Sequence, residues 1–343
     1  MIDFKNSLEK ILKGQDLSHA EMFSVMQQVM AGELTPAQIA GLLVALRMKG
    51  ETVDEISAAA SVMRSLSTQV KIADKTYLVD TCGTGGDGIQ TFNVSTVSAF
   101  VAAAAGAKVA KHGGRSVSST CGSADVLEAL GVNVNLSPER VAHCVDQIGI
   151  GFMFAPNHHS AMKHAAPVRR ELGIRTIFNL LGPMTNPANA KRQVMGVFDK
   201  DLTATLAQVL LKLGAEHVLV VHGADGMDEI SFTGDTYVAE LKNGQVIEYT
   251  LNPTQFGLSL HQLKDIQIQN AEESKAMILD VLSGISNTKN IAARDIVLLN
   301  AGAAIYVAGV ATSLQAGISK AAQVIDEGSA LEKLNQLIAI TQH

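Results

Sequence analysis

One stretch constrains this chain more than any other. The strand-like run Tyr77-Leu78-Val79-Asp80 empties into Gly83-Thr84-Gly85-Gly86-Asp87-Gly88, and Asn93-Val94-Ser95-Thr96 then opens a small-residue helix through Ala105. Glycines between a strand and a helix let backbone N–H groups come close to a phosphate, where the helix N-terminus adds positive potential. A second polar, glycine-bearing run follows, Lys111-His112-Gly113-Gly114-Arg115-Ser116-Val117-Ser118-Ser119, with cations and hydroxyls for further phosphate oxygens. Taken singly, each run also reads as a plain glycine turn. Together on one α/β unit they predict a ligand with phosphate at both ends.

Two familiar nucleotide motifs do not account for the first loop. Gly83, Gly85 and Gly88 satisfy G-x-G-x-x-G, but that fingerprint wants an acid about 20 positions on for the ribose hydroxyls. The chain reads Ala102-Ala103-Ala104-Ala105-Gly106-Ala107-Lys108 there, with no carboxylate. A Walker A loop requires a Lys after the glycines, and none follows. Asp87 inside a phosphate cradle makes sense beside a divalent cation or a sugar hydroxyl.

The length, 343 residues, favours one large domain plus a smaller one, and 47% hydrophobic content supplies a sizeable core. A formal charge of −6 argues against a nucleic-acid surface, which needs a basic face, but not against a small anion held locally. Cys82, Cys121 and Cys144 have no C-x-x-C spacing and read as reduced thiols of a cytoplasmic protein. Met1-Ile2-Asp3-Phe4-Lys5 begins no secretory signal. The uncharged segment 296–319 contains Asn300, Gln315 and many small residues. It is expected to be a buried helix, or a pair broken near Gly309, rather than a membrane span.

Residues 1–70 read as a helical domain. Ser18 precedes Glu21 by three, Thr35 precedes Gln38 with Pro36 between, and Thr52 precedes Glu55, so each pair predicts a capping box. Met22, Val25, Met26 and Val29 share one helical face, as do Ile39, Leu42, Leu43 and Leu46. Strands and helices then alternate. Strands are predicted at 108–110, 132–134, 151–154 and 217–222, and helices at 124–130 and 161–172. Asn243-Gly244 predicts a hairpin turn. The expected fold is α/β, a small N-terminal helical domain plus a large α/β domain with a mixed, largely parallel central sheet. The helical domain would be 1–70 joined by a segment near 161–185, and the α/β domain 71–160 with 186–343.

Further candidates lie beyond the glycine loops. The apolar strand Val218-Leu219-Val220-Val221 ends in Gly223-Ala224-Asp225-Gly226-Met227-Asp228-Glu229. Ligands of open α/β sheets gather at the carboxyl ends of strands. Alone, Asp228-Glu229 reads as a solvated acidic turn. Beside the phosphate loops it reads as a magnesium site shared with a pyrophosphate. Arg169 and Arg170 are surface residues, or one of them is a bidentate partner for a ligand carboxylate. His158, His159 and His164 match no helical zinc spacing and are read as packing or polar residues.

These motifs, with Ala155-Pro156-Asn157-His158-His159, Val168-Arg169-Arg170-Glu171 and Phe178-Asn179-Leu180-Leu181-Gly182-Pro183, resemble anthranilate phosphoribosyltransferase along nearly the whole chain. The resemblance implies a cytoplasmic homodimer, paired through the helical domain, with a nucleoside-phosphorylase-like fold. It also implies transfer of the phosphoribosyl group from phosphoribosyl pyrophosphate (PRPP) to anthranilate in tryptophan biosynthesis, with two Mg²⁺ per subunit and no covalent nucleophile. Gly83, Thr84, Gly85 and Gly86 would cradle the pyrophosphate and Asp87 the ribose side. Thr91, Asn93, Val94, Ser95 and Thr96 would continue the PRPP site. Lys111, His112, Gly113, Gly114, Arg115, Ser116, Val117, Ser118 and Ser119, with Ser123 behind, would close over it. Gly83, Gly114 and Arg169 would meet anthranilate, and Ser95, Asp228 and Glu229 would hold Mg²⁺.

Two departures from the family pattern concern the acceptor side and the loop. Gly114 stands where the family usually has Asn, which removes an amide near anthranilate, and Thr120-Cys121 replaces the more usual Lys-Ser. A related transferase with another aromatic acceptor and a pyrimidine nucleoside phosphorylase of the same fold therefore remain as rivals. A nucleic-acid-binding relative is disfavoured by the charge, and a dehydrogenase by the missing ribose-binding acid.

Overall fold

The computed structural model describes residues 3–115, 121–284 and 290–342. Four helices lead: α1 (Phe4–Leu12), α2 (His19–Ala31), α3 (Pro36–Lys49) and α4 (Val53–Leu66). All three expected capping boxes form, on Ser18, Thr35 and Thr52. Each satisfies two backbone donors at a helix start, a contribution of about 1 kcal/mol per cap. Met22, Leu42, Leu43 and Leu46 are fully buried, so the stripes read from the sequence are core. Truncating one of them to Ala would cost about 2–5 kcal/mol.

The chain then enters β1 (Leu78–Val79), α5 (Val94–Ala104), β2 (Lys108–Gly113), α6 (Ser123–Ala129), α7 (Pro138–Ile148) and β3 (Ile150–Phe154). These strands form a parallel sheet in the order β1-β2-β3. Helices α8 (Ala155–His158), α9 (Ala166–Leu172) and α10 (Ile177–Leu181) carry the chain back toward the first four helices. Val168, Phe178 and Leu181 join the same apolar cluster as Met26 and Leu43.

A second sheet follows, β4 (Arg192–Gly196), β5 (His217–Gly223), β6 (Thr236–Lys242) and β7 (Gln245–Leu251), with α11 (Leu202–Lys212) between β4 and β5. β4 and β5 are parallel, and β5-β6-β7 is antiparallel. A parallel bridge from Asp80 to Gln193 joins the two sheets into a mixed, largely parallel whole. Asn243 and Gly244 both have positive φ in the β6–β7 turn, as a two-residue hairpin requires. The chain closes with α12 (Ala271–Leu282), α13 (Ile291–Ala308), α14 (Leu314–Asp326) and α15 (Ser329–Thr341). α13 is long and apolar enough to span a bilayer, yet it is buried inside the domain and ends at left-handed Gly309.

Three local expectations are corrected. Val132 and Val134 are buried but form no strand, because the Asn133 N–H turns to Thr341 Oγ1 on α15 (3.2 Å) rather than to a ladder. The segment 161–172 is not one helix but a 3₁₀ turn, Ser160–His164, followed by α9. Pro167 has no N–H to continue an earlier helix and sits in the first turn of a new one. Lys111, His112 and Gly113 belong to β2, not to the following loop.

Candidate functional site

The glycine loop is pinned by contacts that only the folded chain creates. Gly85, Gly86 and Gly88 have positive φ. Thr84 N–H donates to Gly196 O at the end of β4 (2.9 Å), and Gly85 N–H donates to Asp228 Oδ2 (2.8 Å). Asp87 Oδ1 accepts from Ile89 N–H (3.0 Å). Thr91 pairs with Gln267 in an isolated bridge just before α5.

The acidic loop after β5 is braced from two sides. Asp225 accepts from Ser231 Oγ (2.7 Å), Thr233 Oγ1 (2.6 Å) and Met227 N–H (3.1 Å). From α13, the buried amide of Asn300 accepts from Ile230 N–H (2.9 Å) and donates to Ile230 O (3.0 Å). Asp228 and Glu229 are thereby held over the glycine loop. Burial, then the neighbouring Asp87 carboxylate, raises Asp228 above the usual range. Burial, then Asp228, raises Glu229 further, against the pull of Lys111. Burial raises Asp87 as well. Buried carboxylates whose charge is disfavoured are hard oxygen donors that a divalent cation stabilises. Among the described residues no three His, Cys, Asp or Glu close round one point, so ligand oxygens and water must complete any coordination shell.

Lys111 reaches the back of this cleft from β2. Its buried ammonium donates to Thr81 O (2.6 Å) and Ser95 Oγ (3.2 Å). Ser95, Asp228 and Glu229 line one small cleft with Thr81, Gly83 and Gly196. Thr84 Oγ1 and Thr96 Oγ1, next in sequence to Gly83 and Ser95, are buried without hydrogen-bond partners. Asp80 lies behind, its carboxylate accepting from His112 N–H (3.1 Å) and Asn186 Nδ2 (2.6 Å), with burial raising it to about 6.

Successive strand residues face opposite sides, so His112 turns away from Lys111. Its ring meets His159 edge-on, centroids 5.1 Å apart. Burial lowers His112 to about 3 and His159 to about 4, so both rings are neutral. His158 Nδ1 lies 2.9 Å from Thr68 O. The ring of His164 fills the space above Gly32.

Gly113 is held against α6, where a Cβ would stand 2.2 Å from Ser123 Oγ. Gly114 O accepts from Ala124 N–H (3.1 Å) and Ser123 Oγ (3.3 Å). Arg115 is committed to Asp125 (2.8 Å) and, in a fork, to Glu128 (2.7 and 2.9 Å). The Asn93 amide is also committed, to Cys121 and Ser274. Val94 is buried in the first turn of α5. Ser116, Val117, Ser118, Ser119 and Thr120 lie outside the described residues. On α9, the Arg169 guanidinium lies over the Phe178 ring, 5.4 Å from its centroid.

Residues 75–331 match the a/b domain of the glycosyl transferase family, and residues 5–67 match that family's helical bundle domain. Anthranilate phosphoribosyltransferase of Methylobacillus flagellatus is 65% identical over 98% of both chains, and that of Laribacter hongkongensis 59% over 99% and 98%. The chain belongs to the anthranilate phosphoribosyltransferase family. The Thermus thermophilus anthranilate phosphoribosyltransferase structure superposes with a TM-score of 0.92 at 43% identity, covering 98% of this chain and 99% of that one. The Saccharomyces cerevisiae enzyme in complex with PRPP and Mg gives 0.89 at 28% identity, over 99% and 98%.

Three contributors in this anthranilate phosphoribosyltransferase family member were not evident in the sequence. Gly196 admits Asp228, Asn300 braces Ile230, and Arg175 donates to Gly86 O while stacking on Phe198. Each acts across long sequence separations, and no local motif marks it.

Proposed function

We propose that this chain transfers the phosphoribosyl group of PRPP to anthranilate, giving N-(5-phosphoribosyl)anthranilate and pyrophosphate, in tryptophan biosynthesis. The observation that carries the reading is the Asp228–Glu229 pair, tied to the glycine loop through Gly85 and facing buried Lys111. The Saccharomyces cerevisiae relative was solved with PRPP and Mg, and separately with 4-fluoroanthranilate, which supports both substrates.

In this reading Asp228, Glu229 and Ser95 hold Mg²⁺, two ions per subunit. The bound metal would supply positive charge to the leaving pyrophosphate. The backbone of Gly83, Thr84, Gly85 and Gly86, with Thr84 N–H on Gly196 O and Gly85 N–H on Asp228, cradles the same oxygens, and Asp87 takes the ribose side. Lys111 adds a fixed positive charge near the bond that breaks, while C1 of the ribose gains oxocarbenium character. The aniline nitrogen already carries a lone pair, so the acceptor needs orientation more than deprotonation. Arg169 supplies it through the anthranilate carboxylate. The reading includes a cytoplasmic homodimer formed through residues 1–70 and the segment near 161–185. Gly114 favours one second reading, a related transferase with another aromatic acceptor.

The deciding experiment mixes the protein with PRPP, Mg²⁺ and anthranilate and follows anthranilate fluorescence together with pyrophosphate release. Coupled loss and release, both abolished by chelator, is the expected result. Tight PRPP binding without reaction would assign the second reading, and neither binding nor turnover would refute both.

A further inference from the structure

Asn93 occupies the N-cap position of α5 but does not cap it. An N-cap Asn ordinarily turns its side-chain oxygen back to the second or third N–H of its own helix. Here that oxygen accepts from Ser274 Oγ (2.7 Å) and from the Cys121 thiol (3.3 Å). The amide nitrogen donates to Cys121 O (3.1 Å). Asn93 N–H donates to Ser274 Oγ (3.2 Å), so one hydroxyl binds both ends of the residue.

Ser274 reaches this point from the first turn of α12, 181 residues along the chain, and is fully buried. Its consequence lies in the next peptide. With Asn93 held aside, the start of α5 carries no side-chain cap and stays open toward the small cleft that Ser95 and Glu229 line together. An acid beside the start of a helix is favoured by the helix dipole. Thr96 Oγ1, in the same turn, is buried without a partner. Freed from Ser274, the Asn93 amide would compete with Glu229 for that helix start.

We propose that Ser274 is a positioning residue of the donor site, withholding Asn93 from α5 so that the helix start stays open to Glu229 and the phosphates. The inference rests on the PRPP reading above. It assigns Ser274 no contact with substrate, only control over Asn93. The hydroxyl must both donate and accept, a requirement Thr meets and Ala does not.

The test is calorimetric titration of PRPP with MgCl₂ in the absence of anthranilate, with steady-state kinetics and melting curves alongside. Ser274→Ala should weaken PRPP binding and raise its KM by about five- to tenfold, the equivalent of one net hydrogen bond. It should leave kcat nearly unchanged and the melting midpoint little changed, because the cap a released Asn93 can make offsets the loss of the acceptor for its N–H. Ser274→Thr should restore binding, and Ser274→Ala should add nothing in an Asn93→Ala background. Wild-type affinity in Ser274→Ala, or the same loss with Asn93 already removed, would overturn the inference. So would a loss that tracks a fall in melting midpoint. A wild-type chain that binds no PRPP would overturn the functional reading and this inference with it.

Discussion

Gly196 approaches Asp228 so closely that a Cβ built on the glycine would stand 1.4 Å from the Asp228 carbonyl oxygen. β4 therefore has to end in glycine for the acidic loop to reach the glycine loop, where Gly83 meets the same aspartate. Gly196→Ala is expected to displace Asp228 by an ångström or more. A shift of that size costs about a hundredfold in turnover even when the chain stays folded. Circular dichroism alongside kcat/KM separates the two effects, and a fully active Gly196→Ala would contradict the geometry.

Burial raises both Asp228 and Glu229, with Asp87 adding to the first and Asp228 to the second, and they relax only when a cation or a proton arrives. Asp228→Asn with Glu229→Gln removes that charge while keeping the shape. Turnover should fall and the magnesium dependence should weaken. Magnesium kinetics identical to wild type would remove the pair from the metal site.

Arg169 lies over Phe178, half-buried, and burial alone lowers its guanidinium from the ordinary value. A carboxylate ligand would offset that cost. Arg169→Ala should raise the anthranilate KM by about tenfold or more, the loss expected of one charged hydrogen bond. An effect confined to the PRPP KM would place the arginine on the other substrate.

Glu240 supports the far side of the sheet. Burial pushes its carboxyl up, but bonds from His217 (2.9 Å), Tyr306 (2.8 Å) and Tyr249 (2.9 Å) outweigh it and hold the group at about 2. A depressed acid contributes stability above its unfolded pKa, here 4.5, and that contribution fades as pH falls toward 2. Glu240→Gln should destabilise the fold at neutral pH by about 3 kcal/mol or less. The gap to wild type should close on acidification below the ordinary glutamate range. A pH-independent gap between the two denaturation curves would refute the linkage.

What the sequence disclosed was whatever depends on neighbours in the chain. Ser18, Thr35 and Thr52 cap helices because the partner of each lies three residues on, and Asn243-Gly244 turns because both residues tolerate positive φ. Gly309 ends α13 for the same local reason. Lys111 was harder to place, since its ammonium is buried only because β2 runs on beside β3. Arg115 looked free beside its glycines, yet the turn of α6 brings Glu128 and Asp125 to it. Ser274, Asn300 and Gly196 had no local signature, because their partners lie on other elements.

Gly114, proposed for the acceptor side, has the most direct test. Its backbone oxygen is fixed by Ala124 N–H and Ser123 Oγ, and its φ is not in the left-handed region. A Cβ there would find only Ala155 Cβ, at 4.0 Å, an ordinary contact. The site therefore accepts a side chain without moving β2 or α6. Gly114→Asn supplies an amide at the position proposed to lie beside the acceptor. One net hydrogen bond to anthranilate would lower its KM by about fivefold, with PRPP kinetics and the melting midpoint unchanged. A raised anthranilate KM would instead mean that Gly114 makes room for a bulkier acceptor. The same variant assayed against ring-substituted anthranilates would then lose the larger ones first.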